Sequence, residues 1–167
     1  MAQVNSDALV FYGATGDLAF KKIFPALFLM IKRGHLQAPI IGVARGDYDL
    51  EKLQQRAKDS IQRYGNFEEE TFAKFLQQLA FVGGDYTDPQ TFLRVREALG
   101  TAKHPTHYLA IPPVLFPSII AQLEQSGCAK GARIIVEKPF GTDYASARGL
   151  NKLLLSKFSE SSVYRID

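Results

Sequence analysis

Tryptophan is absent from the 167 residues, methionine occurs twice and cysteine once, at Cys128. A lone cysteine excludes an internal disulfide framework, so a reducing compartment, the cytoplasm, is the simplest expectation. Cys128 follows Gly127 at a helix end and reads as an inert thiol. Histidine is scarce too. His35, His104 and His107 show no ligand spacing and no cysteine or acidic companion, so no metal site is expected. Long apolar runs are missing. The most apolar stretch, 23–31, contains Pro25 and is bracketed by Lys21, Lys22, Lys32 and Arg33. It falls short of the roughly 20 apolar residues a bilayer helix needs and reads as a packed helix. The N-terminal "MAQVNSDALVFYG" has neither a basic start nor an apolar core, so no signal peptide is expected. No basic stripe or arginine-rich arm accompanies the net charge of +3, which argues against nucleic acid as a partner. The mildly basic balance suits a small anionic ligand.

What is present is an alternation. Short apolar runs at 8–12, 39–44, 80–85, 106–111, 132–139 and 162–166 read as strands. Between them, 18–33, 50–64, 68–79, 88–99, 115–127 and 143–158 carry helical periodicity. Asp88 is placed to cap the fourth of these helices, with Pro89 at its first position, and Gly127 to end the fifth. The Phe/Leu positions of 72–79 read as core, and Glu68–Glu70 as a solvated helix start. Strand–helix–strand repetition implies parallel strands joined by right-handed crossovers. The runs "IIGVA" and "IIVE" are apolar on both alternations, as expected where both faces are covered. The fold class is α/β: one doubly wound, mainly parallel Rossmann-type sheet with helices on both faces, spanning 1–167 as one domain.

In such a sheet a ligand sits where the first strand hands over to the first helix. Here that handover is "VFYGATGDLAFKK", residues 10–22. Gly13 and Gly16 allow a sharp bend and a close approach of phosphate to backbone. The spacing is G-x-x-G and not the full G-x-G-x-x-G, so a plain glycine turn is the competing reading. Thr15 adds a hydroxyl. Lys21 and Lys22 follow, where one of them reaches back toward a phosphate and the other is a surface lysine. After the second strand, Arg45 offers bidentate bonds to a 2′-phosphate and so favours NADP, while Asp47 offers an acceptor to a ribose hydroxyl and keeps NAD open. After the fifth strand, Lys138 either holds a substrate hydroxyl or phosphate or pairs with a surface carboxylate. The proline that follows restricts its backbone.

With "GATGDLAFKK", "GVAR", "YLAIPP", "IIVEKPFGTD" and "VYRID" in this order, the chain resembles the N-terminal coenzyme domain of glucose-6-phosphate dehydrogenases over nearly its whole length. That family oxidises glucose 6-phosphate to the 6-phosphoglucono-lactone and passes a hydride to NADP, at the head of the oxidative pentose phosphate pathway. The resemblance implies that Gly13, Ala14, Thr15, Gly16, Asp17 and Leu18, on to Phe20, line the coenzyme phosphates. Arg45 then holds the 2′-phosphate, and Asp85 and Tyr86 lie near the adenosine half. Tyr108 and the stretch Ala110–Pro113, including Pro112, lie near the nicotinamide half. Lys22 and Lys138 reach both coenzyme and substrate. Phe20 stands where many members have a basic residue. The family pattern continues Y-R-I-D-H-Y-x-G-K, whereas this sequence ends at Asp167. The substrate-phosphate histidine, the general base and the dimerising β + α domain therefore lie outside it, and no catalytic residue is assigned within it. The resemblance implies an isolated coenzyme domain: monomeric, binding NADP weakly, without turnover, and part of a homodimer or tetramer at full length. Two other readings stand beside it, a sugar oxidoreductase of the glucose–fructose oxidoreductase or inositol dehydrogenase type, and a non-catalytic NADP-binding module.

Overall fold

The strands form where β-branched and aromatic side chains cluster, and they associate in one sheet. In a computed structural model, which describes residues 6–137 and 143–166, the strands are β1 (Ala8–Tyr12), β2 (Ile40–Ala44), β3 (Leu79–Gly83), β4 (Pro105–Leu109), β5 (Arg133–Glu137) and β6 (Val163–Ile166). They pair in the order β3-β2-β1-β4-β5-β6, all parallel. The order reverses between β1 and β4, and the crevice at the carboxyl ends of these two strands is where such sheets bind ligands.

Among the described residues, six α-helices link the strands: α1 (Phe24–Lys32), α2 (Leu50–Tyr64), α3 (Glu69–Gln78), α4 (Pro89–Leu99), α5 (Phe116–Ser126) and α6 (Tyr144–Lys157). Asp49, Asp88 and Asp143 cap α2, α4 and α6 by accepting backbone N–H groups of their first turns. Gly127, in the left-handed region at φ +82°, ends α5.

The first helix departs from its expected form. Residues Ala19–Ile23 make a π-helical segment that runs into α1, with the Phe24 N–H bonded to the Ala19 carbonyl five residues back. Pro25 explains it. A proline inside a helix has no N–H to give and crowds the carbonyl four residues earlier, and a wider turn relieves that crowding.

Two apolar layers sandwich the sheet. On one face α1, α2 and α3 bury Phe11, Phe24, Ile40, Leu53 and Phe75. On the other, α4, α5 and α6 bury Tyr12, Val43, Phe92, Ile119 and Ile134. Coverage is complete over β2, whose five residues are all buried, but not over β5. There Arg133, Ile135 and Glu137 are half-buried and alternate with buried Ile134 and Val136. The expectation that "IIVE" is covered on both sides therefore fails. The three helices on the α1 side serve β1, β2 and β3, and among the described residues none crosses over β5 and β6. Tyr164 and Ile166 of β6 are correspondingly exposed.

Candidate functional site

Gly13 sets the geometry of the first turn. Its φ of +89° is a conformation side chains resist, and a Cβ placed on it would lie 2.2 Å from the Ala110 carbonyl oxygen. The turn thus abuts the exit of β4. The Gly13 N–H donates to the Tyr86 hydroxyl (2.9 Å) and the Val43 carbonyl (3.0 Å), and Ala14 N–H donates to the same carbonyl at 3.1 Å. Gly16 N–H closes the turn onto Gly13 O at 3.0 Å, and Phe20 N–H donates to Gly16 O at 3.2 Å. The N–H groups of Thr15, Asp17 and Leu18 find no acceptor among the described residues. Unpaired amides at the positive end of a helix are an anion seat. Ala14 is fully buried. Ala19, three residues past Gly16, is also fully buried between the helix and the sheet. It fills the third small position of the dinucleotide fingerprint, which the G-x-x-G reading overlooked.

Gly16, Asp17 and Leu18 form one wall of a crevice of about 330 Å³, and Leu109 to Pro113 with Glu137 form the other. The crevice reaches the bend at Gly16. Ala110 and Pro112, which the resemblance puts near the nicotinamide half, line this crevice together with Leu109 and Glu137. Tyr108, which the resemblance puts near the nicotinamide half, does not itself line this crevice. It lines a separate apolar cavity of about 400 Å³ between the first helix and β1, β4 and β5, together with Leu18, Lys22 and Glu137. Its hydroxyl donates to Glu137 Oε1 at 2.7 Å. Burial, reinforced by that carboxylate, pushes the phenol well above its ordinary range. Tyr108 points to the α1 face of the sheet, the same side as Ala110 two residues on. The same cavity separates the two lysines, since Lys22 lies on its wall and Lys21 does not.

On the β2 side, Arg45 is exposed immediately after the strand, its guanidinium 5.7 Å from the centroid of the Tyr86 ring. Tyr86 is 3% exposed and its hydroxyl is committed to Gly13 and Val43. It braces the glycine turn from below and gives Arg45 a platform. Asp85 accepts from Thr87 N (2.8 Å) and Thr87 Oγ1 (2.7 Å). These bonds, with a smaller contribution from Arg45, hold its carboxyl below the usual range. Asp47 is exposed beside Arg45. Arg56 of α2 also reaches the turn, donating from Nη2 to Gly16 O at 3.1 Å. Nothing in the amphipathic pattern of α2 marks it.

The other candidates lie apart. His107 is fully buried, with Nδ1 3.0 Å from the Tyr12 hydroxyl and Nε2 3.0 Å from the Cys128 carbonyl. A carbonyl only accepts, so Nε2 carries the proton and Nδ1 accepts from Tyr12. Burial lowers the imidazole pKa to about 4 and keeps it neutral. Cys128 is 1% exposed and burial raises its thiol pKa, which makes it unreactive. Lys138 lies outside the described residues.

Open backbone N–H groups at a glycine turn, a crevice at the switch point and an arginine after β2 define a dinucleotide-binding domain. Comparison with known proteins narrows the class. The family model "Glucose-6-phosphate dehydrogenase, NAD binding domain" matches residues 10–167. Glucose-6-phosphate 1-dehydrogenase 1 of Mycobacterium tuberculosis is 39% identical over 162 residues, which cover 97% of this chain and 35% of the relative. Glucose-6-phosphate 1-dehydrogenase 6, cytoplasmic, of Arabidopsis thaliana is 36% identical over 179 residues, covering 96% of this chain and 35% of that protein. The crystal structure of glucose-6-phosphate 1-dehydrogenase from Mycobacterium avium superposes with a TM-score of 0.93 at 38% identity, covering 98% of this chain and 36% of that one. The chain belongs to the glucose-6-phosphate dehydrogenase family and corresponds to its NAD-binding domain. It spans about a third of the length of the curated relatives it matches.

Proposed function

We propose that this chain is the coenzyme domain of an NADP-dependent enzyme that oxidises glucose 6-phosphate to the 6-phosphoglucono-lactone. The observation that carries this reading is the glycine turn at Gly13–Gly16, followed by Asp17 and Leu18, which line the crevice and whose N–H groups find no acceptor among the described residues. The residues present fit a dinucleotide. The backbone of Gly13–Leu18 holds the pyrophosphate, with Thr15 adding a hydroxyl donor. Arg45, fixed over Tyr86, holds the 2′-phosphate. Asp85 lies on the adenosine side, and Ala110 to Pro113 on the nicotinamide side. Lys22, and Lys138 beyond the described residues, serve the substrate side. When bound, NADP supplies the oxidised nicotinamide that accepts a hydride.

Removing a hydride from C1 also requires a base for the hydroxyl proton. None of the three histidines lines the crevice, and Glu137 is engaged by Tyr108. Within this proposal the 167 residues alone bind coenzyme weakly, as a monomer and without turnover. The domain assignment is 1–167, with the family's substrate and dimerisation functions belonging to a longer homodimer or tetramer. A cytoplasmic location is part of the proposal and agrees with the name of the Arabidopsis relative; among the described residues no helix is long and apolar enough to cross a membrane. Nucleic acid and membranes are not proposed as partners.

Calorimetric titration with NADP and NAD tests the coenzyme assignment. Arg45→Ala is expected to weaken NADP by roughly 1.5–3 kcal/mol, as for a lost charge-assisted contact, and to leave NAD unchanged. Equal losses for both coenzymes, or none, would remove Arg45 from the 2′-phosphate. Oxidation of glucose 6-phosphate by the chain alone would overturn the claim of no turnover.

A further inference from the structure

Arg56 behaves unlike an ordinary arginine on an exposed helix. Such a side chain gains by swinging into water, where all five of its N–H donors are satisfied. Here it folds back from the middle of α2. Its guanidinium carbon lies 4.8 Å from the centroid of the Phe20 ring, and Nη2 donates to Gly16 O. Its Nε is buried without a partner, a cost the swung-out conformer would avoid. Among the described residues no carboxylate pairs with it. The platform is braced from two sides: Tyr64 meets the Phe20 ring edge-on at 5.9 Å, and the Ser60 hydroxyl donates to the Phe20 carbonyl.

What this arrangement holds is one peptide. In a trans peptide the carbonyl and the following N–H point to opposite edges of the same plane. Gly16 O receives two donors, Phe20 N–H and Arg56 Nη2, so the Gly16–Asp17 plane is fixed from behind. The Asp17 N–H on the opposite edge has no acceptor, and Gly16, Asp17 and Leu18 line the crevice. Gly16 has no side chain to restrict the rotation of this plane, so the restriction comes from elsewhere.

We infer that Arg56 is the positioning residue of the coenzyme seat: by gripping the Gly16 carbonyl it aims the Asp17 N–H at the dinucleotide's phosphate and places an unpaired positive charge behind that peptide. This rests on the coenzyme reading above. It differs from the role of Arg45 in what it discriminates. A group that orients a pyrophosphate amide serves NAD and NADP alike, whereas a 2′-phosphate contact serves NADP alone.

The test is titration of the wild type, Arg56→Met and Arg56→Lys with both coenzymes, with thermal melts of each protein. Methionine keeps apolar contact with Phe20 and removes donors and charge. Arg56→Met is expected to weaken NAD and NADP by the same factor, about 5- to 20-fold, with the melting temperature within about 2 °C of wild type. Arg56→Lys, which keeps the charge and a donor, is expected to recover part of the loss. Unchanged affinities in Arg56→Met overturn the inference, as does a loss confined to NADP, which would make Arg56 a 2′-phosphate ligand. A loss that tracks a fall in melting temperature, with no rescue by lysine, overturns it as a merely structural effect. Failure of the wild type to bind either dinucleotide would instead sink the coenzyme reading, and the two failures are thereby distinct.

Discussion

Gly13 and Gly16 stand three residues apart and do different work. Gly13 is required by the fold, since its φ of +89° and the Ala110 carbonyl 2.2 Å from a notional Cβ leave no room for a side chain. Gly16 has an ordinary backbone, and a Cβ there would meet only Gly13 O, at 3.3 Å. Gly13→Ala is therefore expected to destabilise the domain by at least about 1–3 kcal/mol, from strain plus the clash. Gly16→Ala is expected to change stability by less than about 1 kcal/mol while weakening both coenzymes, because a methyl group occupies the phosphate's approach. Urea unfolding and titration of the two variants check this; equal stability losses in both would show that the glycines share one role. The spacing of the glycines was plain in the sequence, but not which of them the fold requires. That depends on β4, nearly a hundred residues away, whose exit closes on Gly13 alone. Tyr86 illustrates the same limit: the resemblance puts it near the adenosine half, and only the structure shows its hydroxyl bracing Gly13 and Val43.

At the scale of elements, what was legible was local. Asp88 followed by Pro89 announced the start of α4, and the cap accepts from Gln90 N–H at 2.9 Å. Asp88→Ala is expected to cost about 1 kcal/mol and lower the melting temperature by about 2–4 °C, read by calorimetry. No change would mean that tertiary packing alone sets the start of the helix. The strands at 8–12 and 40–44 and the helix at 50–64 were readable because each carries its own periodicity or apolar run. The π-helical segment at Ala19–Ile23 was not read, because the apolar spacing of 18–33 fits an ordinary helix and the response to Pro25 is a matter of backbone geometry. Nor was the half-open face of β5, because a run such as "IIVE" looks the same whether one helix layer covers it or two.

Across the whole molecule, one buried polar chain ties distant parts together. Tyr12 of β1, His107 of β4 and the Cys128 carbonyl before β5 form a line beneath the sheet, with His107 neutral. Its folded pKa of about 4 lies below the ordinary 6.5. As pH falls below 6.5 the unfolded chain takes up a proton that the folded chain refuses until about pH 4. The stability this contributes is thus present above about pH 6.5 and lost across that window, by about 3 kcal/mol. Urea midpoints measured between pH 7.5 and 4 are expected to fall more steeply for the wild type than for His107→Gln. Equal slopes would show that His107 does not set the acid sensitivity.

By itself the sequence determined the alternating α/β order, the glycine bend at the first handover, the arginine after the second strand and the likeness to one family, because each is written in contiguous residues or in short motifs with fixed spacing. The tertiary structure alone decided that Tyr86 is buried against the glycine turn, that Tyr108 bonds Glu137, and that Arg56 reaches the turn. Those outcomes depend on which side chains meet across 29, 40 and 73 residues of chain. Contacts of that reach are set by how parallel strands stack and helices seat against them, and no local pattern records it.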